Sequence, residues 1–253
     1  MNEHSQTFEE FIAWQRDLPA DVRAAQRAQR DLEFRDEIAQ RNAAYRVAMA
    51  RKLSNIGPRF QERTLDSYRC PPGDPYALSV AREIALHLGS HGVWFCGGKG
   101  AGKTHLAAGI LNDVTQHGVP ATFVSVIALI DQLKASYDRN GSLRMNQVDV
   151  IRWLAQIDVL VLDDIDKAEF TAHTSQRLYS LINQRYENGG SQRRKPVIVT
   201  SNHEPAEIST RWRKKGLDEV IGDAILDRFR ELCGQFVAVE GDSYRERLME
   251  GTA

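Results

Sequence analysis

One octapeptide in this chain has the residue types and spacing of a phosphate-binding loop. The run is Gly97-Gly98-Lys99-Gly100-Ala101-Gly102-Lys103-Thr104, which matches the pattern G-x-x-x-x-G-K-[ST] at each fixed position. Glycines let backbone N–H groups converge on phosphate oxygens, and the lysine reaches the β- and γ-phosphates while the threonine hydroxyl binds Mg²⁺. The alternative is a glycine-rich turn that binds nothing. Such a turn would not require the lysine and the threonine at their fixed positions. The sequence predicts a site for a nucleotide and Mg²⁺.

Two carboxylates and an amide follow later in the chain, each at the end of an apolar stretch. Asp163 and Asp164 come about sixty residues after Lys103, and Asn202 follows the next apolar stretch. Carboxylates at the C-terminal end of parallel strands lie where ligands bind. We expect Asp163 to hold Mg²⁺ through water, Asp164 to polarise an attacking water, and Asn202 to orient that water and sense the γ-phosphate. The alternatives are helix N-caps for the two aspartates and a turn residue before Pro205 for Asn202.

Two arginines near the end of the chain suit the same chemistry. Arg228 lies in Leu226-Asp227-Arg228-Phe229-Arg230, which closes a predicted helix, and Arg245 ends Asp242-Ser243-Tyr244-Arg245 after the last predicted strand. Arginines in such places can complete a γ-phosphate site, either in the same chain or from a neighbouring subunit. Surface arginines are common, so each could also be an ordinary solvated side chain.

The elements that must position these residues alternate along the chain. Strands are predicted at 93–96, 121–126, 158–162, 196–200 and 235–239, and helices near 103–116, 127–138, 147–155, 172–187 and 217–232. Such alternation predicts an α/β fold with a five-stranded parallel sheet covered by helices on both faces. Because only fourteen residues follow the last predicted strand, we expect no C-terminal lid.

The N-terminal part differs in composition from the rest. It is rich in Ala, Arg, Gln and Glu, and its sparse apolar residues recur at spacings of four, seven and four, at Phe34, Ile38, Tyr45 and Met49. One such stripe cannot form a core alone, so it either packs on the following domain or binds a partner. We expect a helical arm at 1–55, a linker at 56–75 and an ATPase domain at 76–253.

Composition excludes several classes of protein. The 33 basic and 34 acidic residues give a net charge of −1, so the overall charge does not indicate nucleic-acid binding and leaves open only a local basic patch. The three cysteines form neither a zinc motif nor a disulfide framework. The N-terminus does not have the pattern of a signal peptide, and no apolar run approaches the length of a bilayer span. We expect a cytoplasmic protein without a membrane partner.

These residues together resemble AAA+ ATPases of the bacterial replicative-helicase loader type (DnaC-like), with IstB-type transposition helpers close by. The resemblance covers nearly the whole chain, on the motifs Gly97–Thr104, Val159–Asp164, Val199–His203, Asp227–Phe229 and Asp242–Arg245. It implies an AAA+ P-loop core that binds ATP and Mg²⁺, with Arg228 as an arginine finger acting in trans and Arg245 as the sensor-2 arginine. Asp164 stands where many AAA+ enzymes have Glu, so we expect slow hydrolysis that DNA or a partner stimulates.

The resemblance also implies partners. The family's N-terminal arm grips a hexameric replicative DNA helicase, which suggests Phe11 and Trp14 as contacts. An extra helical element, placed near 127–150, faces single-stranded DNA, with Tyr137 as a candidate for base stacking. Self-association through the ATP site would give six copies on the helicase. The alternatives are an IstB-like helper of a DNA transposase and a P-loop kinase, although Arg228 and the paired aspartates argue against the kinase.

Overall fold

The computed structural model describes residues 19–54, 56–69, 75–87, 91–135, 147–189, 195–203, 222–241 and 243. The chain divides into two compact units, Met1–Tyr45 and Arg46–Ala253. In the first unit the described residues from Ala20 onward are helical and belong to α1 (Ala20–Leu53). Large apolar side chains of this unit are exposed, among them those of Phe34, Ile38 and Tyr45.

The second unit contains the end of α1 and a mixed series of helices and strands. The strands are β1 (Val93–Gly97), β2 (Ala121–Ser125), β3 (Val159–Asp163), β4 (Val197–Ser201) and β5 (Phe236–Val239). The other helices are α2 (Pro58–Gln61), α3 (Tyr76–Leu86), α4 (Lys103–Gln116), α5 (Val126–Ala135), α6 (Gln147–Gln156), α7 (Ala172–Asn188) and α8 (Asp223–Cys233). A 3-10 turn, Ile165–Lys167, follows β3.

The five strands form one parallel sheet in the order β2-β3-β4-β1-β5. Successive side chains of a strand point to opposite faces, so Trp94 joins the core that α5 to α8 cover, and Phe95 joins the core that α3 and α4 cover. Parallel sheets bury both faces in this way. The predicted five-stranded α/β fold is confirmed. Its strand order brings the C-terminal ends of β1, β4 and β3 side by side.

The last turns of α1 cover the edge strand β2. Thr122 Oγ1 donates to the carbonyl oxygen of Ala50 at 3.1 Å, and the Phe123 N–H donates to Ser54 Oγ at 3.2 Å. Arg46 pairs with Asp158, just before β3, at 2.9 Å. Uncovered edge strands invite pairing with other chains, and these contacts occupy that edge.

A fully buried arginine lies at the end of the sheet where the strands begin, opposite to the end that carries the candidate site residues. Arg185 of α7 donates to four backbone carbonyl oxygens at 2.7 to 3.2 Å, those of Leu154, Ile157, Asp158 and Pro196. Burial lowers the pKa of Arg185 to about 9, so the guanidinium remains charged at neutral pH. It links the end of α6 to the starts of β3 and β4, and thereby sets the position of the strands whose far ends carry the candidate site.

Predicted and observed boundaries agree within about two residues wherever the structure describes both ends. The predicted helix at 217–232 is observed from Asp223 onward, and residues 217–221 lie outside the described residues. The same holds for residues 136–138 of the helix expected at 127–138. Among the described helices, none combines the length and the apolar character that a bilayer span requires.

Candidate nucleotide-binding site

The phosphate loop connects β1 to the first turn of α4, and its backbone conformation depends on glycine. Gly100 and Gly102 have φ values of 81° and 101°, a region that other residues rarely adopt. A Cβ at Gly100 would lie 2.3 Å from Ser243 Oγ, and one at Gly102 would lie 2.5 Å from Tyr68 Cε2. The loop is therefore enclosed by side chains from two distant parts of the chain.

Lys103 is buried and donates into a ring of oxygen atoms. Its Nζ lies 3.0 Å from the Gly97 carbonyl oxygen, 2.8 Å from that of Gly98 and 3.1 Å from Asn202 Oδ1. Burial lowers the pKa of Lys103, although Asp164 and Asp166 act in the opposite direction. Because its partners are neutral oxygens rather than a carboxylate in direct contact, the ammonium can exchange them for phosphate oxygens.

Asp163 ends β3 as a buried carboxylate with two hydroxyl partners. Thr200 Oγ1 donates to Asp163 Oδ1 at 2.6 Å, and the Thr104 side chain also forms a hydrogen bond with this carboxylate. Burial raises the pKa of Asp163, and the two hydroxyls partly offset that rise. A hydroxyl and a carboxylate side by side are the hard oxygen donors that Mg²⁺ prefers, so Thr104 and Asp163 fit this ion.

Asp164 lies at the rim of the same cleft in a left-handed backbone conformation, with φ at 56°. Its N–H donates to Thr200 Oγ1 at 2.9 Å, and its carboxylate pairs with Lys167. The side chain does not cap the 3-10 turn that follows. The carboxylate therefore points to the cleft rim rather than serving as the N-cap that was the sequence alternative.

Asn202 follows β4 and connects two charged residues. Its Oδ1 accepts from Lys103 Nζ, while its Nδ2 donates to Asp166 Oδ2 at 2.9 Å. Its backbone N–H donates to the other carboxylate oxygen of Asp166 at 3.0 Å. Asn202 is thus brought to the phosphate loop, as the sequence predicted, whereas its contact with Asp166 was not foreseen.

Side chains from the segment that precedes α3 form the opposite wall of the cleft. Tyr68 donates to the Ala101 carbonyl oxygen at 3.1 Å and meets the His105 ring edge-on. His105 Nε2 lies 3.1 Å from Ser67 Oγ, and burial lowers the pKa of this imidazole. The cleft is lined by several cations, which favour a polyphosphate: Arg59, Arg63, Arg69, Lys99, Lys103 and Lys167.

Arg228 is not among the residues that line this cleft. It lies on α8, with its guanidinium 4.9 Å from the centre of the Tyr186 ring and 3.3 Å from the carboxylate of Glu231. A hydrogen bond with Tyr179 raises the pKa of Arg228. The other predicted site residues, Arg245, Tyr137, Phe11 and Trp14, lie outside the described residues.

Sequence reasoning missed Thr200, Asp166, Tyr68 in the segment before α3, and His105 in the first turn of α4. Thr200 and Ser201 are polar residues that end an otherwise apolar strand, and Asp166 is the third carboxylate of the run Asp163-Asp164-Ile165-Asp166. Thr200 and Asp166 were both visible as anomalies of the local pattern. Tyr68 and His105 gave no such signal, because an aromatic and a polar residue of these types are ordinary in composition.

The class of protein follows from the sheet and the site together. The phosphate loop follows β1, and the acidic and amide residues end the two adjacent strands on one side of it. This is the arrangement of an AAA+ P-loop ATPase. The chain belongs to the family of IstB-like ATP binding proteins, whose family model matches residues 20–251. It is therefore an ATP-binding AAA+ ATPase.

Its similar proteins include helicase loaders and insertion-sequence proteins. The replicative helicase loader DnaC of Escherichia coli is 24% identical over 245 residues, covering 96% of this chain and 88% of the loader. An insertion-sequence ATP-binding protein of Mycobacterium tuberculosis is 30% identical over 245 residues, covering 91% and 89%.

Solved structures agree on the fold. A crystal structure of the DnaC helicase loader has a TM-score of 0.59 and 22% identity, and the match covers 73% of this chain and all of that one. AMPPCP-bound DnaA from Aquifex aeolicus has a TM-score of 0.55 at 20% identity, covering 78% of this chain and 56% of that one. Both structures support the AAA+ core.

Proposed function

We propose that this protein uses ATP to load a hexameric replicative DNA helicase onto single-stranded DNA. One observation carries the proposal: the alignment with the DnaC loader extends over 96% of this chain. It therefore includes most of the N-terminal arm, and it is the arm that would select the partner. We place the arm at 1–55, the linker at 56–75 and the ATPase domain at 76–253, in the cytoplasm.

The residues of the cleft would have separate roles in binding and hydrolysing ATP. Lys103 would leave its carbonyl partners for the β- and γ-phosphates, while backbone N–H groups of 97–104 surround them. Thr104 and Asp163 would hold Mg²⁺, which supplies positive charge to the phosphates when it is bound. Asp164 would accept a proton from the attacking water, and Asn202 would orient that water. The ion pair of Asp164 with Lys167 must open for this step, which favours slow basal hydrolysis.

Arg228 would complete the site of a neighbouring copy. It is held on α8 by Glu231 and the Tyr186 ring and does not line the cleft of its own chain. An arginine finger from a neighbour makes hydrolysis depend on assembly. Six copies on a six-fold helicase would supply such neighbours, and Arg245 would act as the sensor-2 arginine.

The arm would bind the helicase and the ATPase domain would bind DNA. Phe11 and Trp14 are the proposed anchors, since aromatic side chains dominate many interfaces. The exposed side chains of Phe34 and Tyr45 on α1 add apolar surface for the same partner. Tyr137 is the proposed stacking residue for single-stranded DNA.

A specific observation favours a second function, that of a helper for a DNA transposase. The insertion-sequence relative has the higher identity, 30% against 24% for the loader. The ATPase chemistry would be the same, but the partner would be a transposase and the track would be duplex DNA.

Binding to the helicase separates the two functions. We would mix full-length protein with the replicative hexameric helicase of its own source in ATP, and measure co-elution by size exclusion. Trp14→Ala tests the arm, and Leu32→Ala, another apolar truncation in the same arm, serves as the matched control. Co-elution lost in Trp14→Ala alone would support the loader. If the parent protein and the Trp14→Ala variant both fail to elute with the helicase, the loader proposal fails and the transposase becomes the partner to test.

A further inference from the structure

We infer that Asp166 is the positioning residue that fixes the orientation of the Asn202 amide toward the ATP phosphates. This inference rests on the proposed role of Asn202 in orienting the attacking water. Asp166 lies in the 3-10 turn after β3 and reaches across to the end of β4, where it accepts from both N–H groups of Asn202.

The contacts on the two sides of the amide define its orientation. An asparagine amide has nearly the same shape after a half turn, so its partners decide which end faces which way. A carboxylate can only accept hydrogen bonds, so Asp166 must face Nδ2. Lysine can only donate, so Lys103 must face Oδ1. The two contacts agree, and the amide presents its oxygen to the phosphate loop.

Burial supports a role for the charge of Asp166. Its side chain is only 4% exposed, and a buried carboxylate is costly unless its partners stabilise it. The nearest nitrogen of His203, Nδ1, lies 3.7 Å from Asp166 Oδ2, which is too long for a hydrogen bond. The two N–H groups of Asn202 are therefore its main partners among the described contacts.

The orientation has a chemical consequence. When Lys103 moves to the phosphates, Asn202 Oδ1 is left facing the cleft as a hydrogen-bond acceptor. An acceptor can hold a water through one of its hydrogens and direct the water's lone pair at phosphorus. If the amide turned over, Nδ2 would donate to a γ-phosphate oxygen instead. That contact would bind ATP at least as tightly but would orient no water.

The test separates binding from chemistry with an isosteric change, Asp166→Asn. We expect the single-turnover rate of ATP hydrolysis to fall about 10- to 100-fold, because the misplaced amide orients water poorly. The Kd for a fluorescent ATP analogue should stay equal or become lower. Asp149→Asn, the same change at an exposed ion pair on α6, is the matched control and should match the parent.

A double variant tests whether Asp166 acts through Asn202. Asp166→Asn should add no further loss to Asn202→Ala, because the amide that it positions is then absent. A purely structural Asp166 would lower the melting temperature and slow both backgrounds equally, which would overturn the inference. If Asp166→Asn reduces the folded fraction, Asp166→Glu, which retains the carboxylate one methylene further out, supplies the same comparison.

The outcomes also separate this inference from the function that it rests on. Slow hydrolysis by Asn202→Ala together with a normal rate in Asp166→Asn would overturn the positioning role alone. A normal rate in Asn202→Ala would overturn the role of Asn202 itself, and the positioning role with it.

Discussion

Replacing Thr200 by Val should reveal how strongly the charge on Asp163 depends on a neighbouring strand. The Thr200 hydroxyl is fully buried, donates to Asp163 Oδ1 at 2.6 Å and accepts from the Asp164 N–H at 2.9 Å. Valine has nearly the same shape but makes neither contact. The variant therefore removes one hydrogen bond to a charged acceptor and leaves one backbone donor without its partner.

The expected loss can be worked from these two contacts. A hydrogen bond to a charged group contributes about 1.5–3 kcal/mol and an unsatisfied buried donor costs about 1–3 kcal/mol, so we expect a loss of about 2.5–6 kcal/mol in total. The matched control is Thr122→Val, an equally buried threonine whose hydroxyl donates to the neutral Ala50 carbonyl oxygen. That carbonyl keeps the Ser54 N–H, so the control should cost about 1 kcal/mol. The free energies of unfolding of the two variants are measured by urea denaturation without nucleotide or Mg²⁺.

The pH dependence gives the sharper test. Burial already raises the pKa of Asp163 from 3.8, and the Thr200 hydroxyl opposes that rise, so its loss should raise the pKa further. The native variant then binds a proton at higher pH than the native parent. The stability deficit of Thr200→Val should therefore shrink as the pH falls from 7 through this raised pKa toward 4, and that of Thr122→Val should not change. A Thr200→Val deficit that is constant or grows in acid would refute the reasoning.

The remaining predictions concern nucleotide, assembly and scaffold. Lys103→Ala should abolish ATP binding in a fluorescence titration, because the Lys103 ammonium is the cation inside the phosphate loop. An unchanged affinity for ATP would show that this loop does not bind the phosphates. Arg228→Ala should leave ATP binding intact and remove the hydrolysis that helicase or DNA stimulates, and normal stimulated hydrolysis would contradict a finger in trans. Arg185→Met should lower the free energy of unfolding in urea by about 3–5 kcal/mol, since four carbonyl oxygens lose the guanidinium as a hydrogen-bond donor. The exposed Arg152→Met is its control, and equal losses in the two variants would show that Arg185 does not hold the strands together.

Patterns that are local in the chain were predictable from the sequence. The phosphate loop is a contiguous octapeptide whose glycines reflect backbone geometry, so its position between β1 and α4 followed directly. The five strands were predicted because each is a short apolar run between turn residues. Their parallel arrangement followed from alternation with helices, since parallel neighbours need a crossover.

Contacts between strands were not predictable in the same way. Thr200 meets Asp163 and Asp166 meets Asn202 only because β3 and β4 are adjacent, and each pair is more than thirty residues apart in sequence. The strand order that makes them neighbours depends on packing across the whole sheet. The Tyr68 contact with the phosphate loop likewise depends on how the segment before α3 packs onto α4.

Delivery of the helicase to closed circular single-stranded DNA is the most direct test of the central claim. A ring-shaped hexamer cannot thread onto a circle without opening, so a loader is needed for it to bind. We would incubate circle, helicase, this protein and ATP, then measure helicase retained on the DNA by gel filtration, with Lys103→Ala as the control. The account predicts helicase on the circle with the parent protein and none with Lys103→Ala. Equal helicase on the circle with and without the parent protein would contradict it.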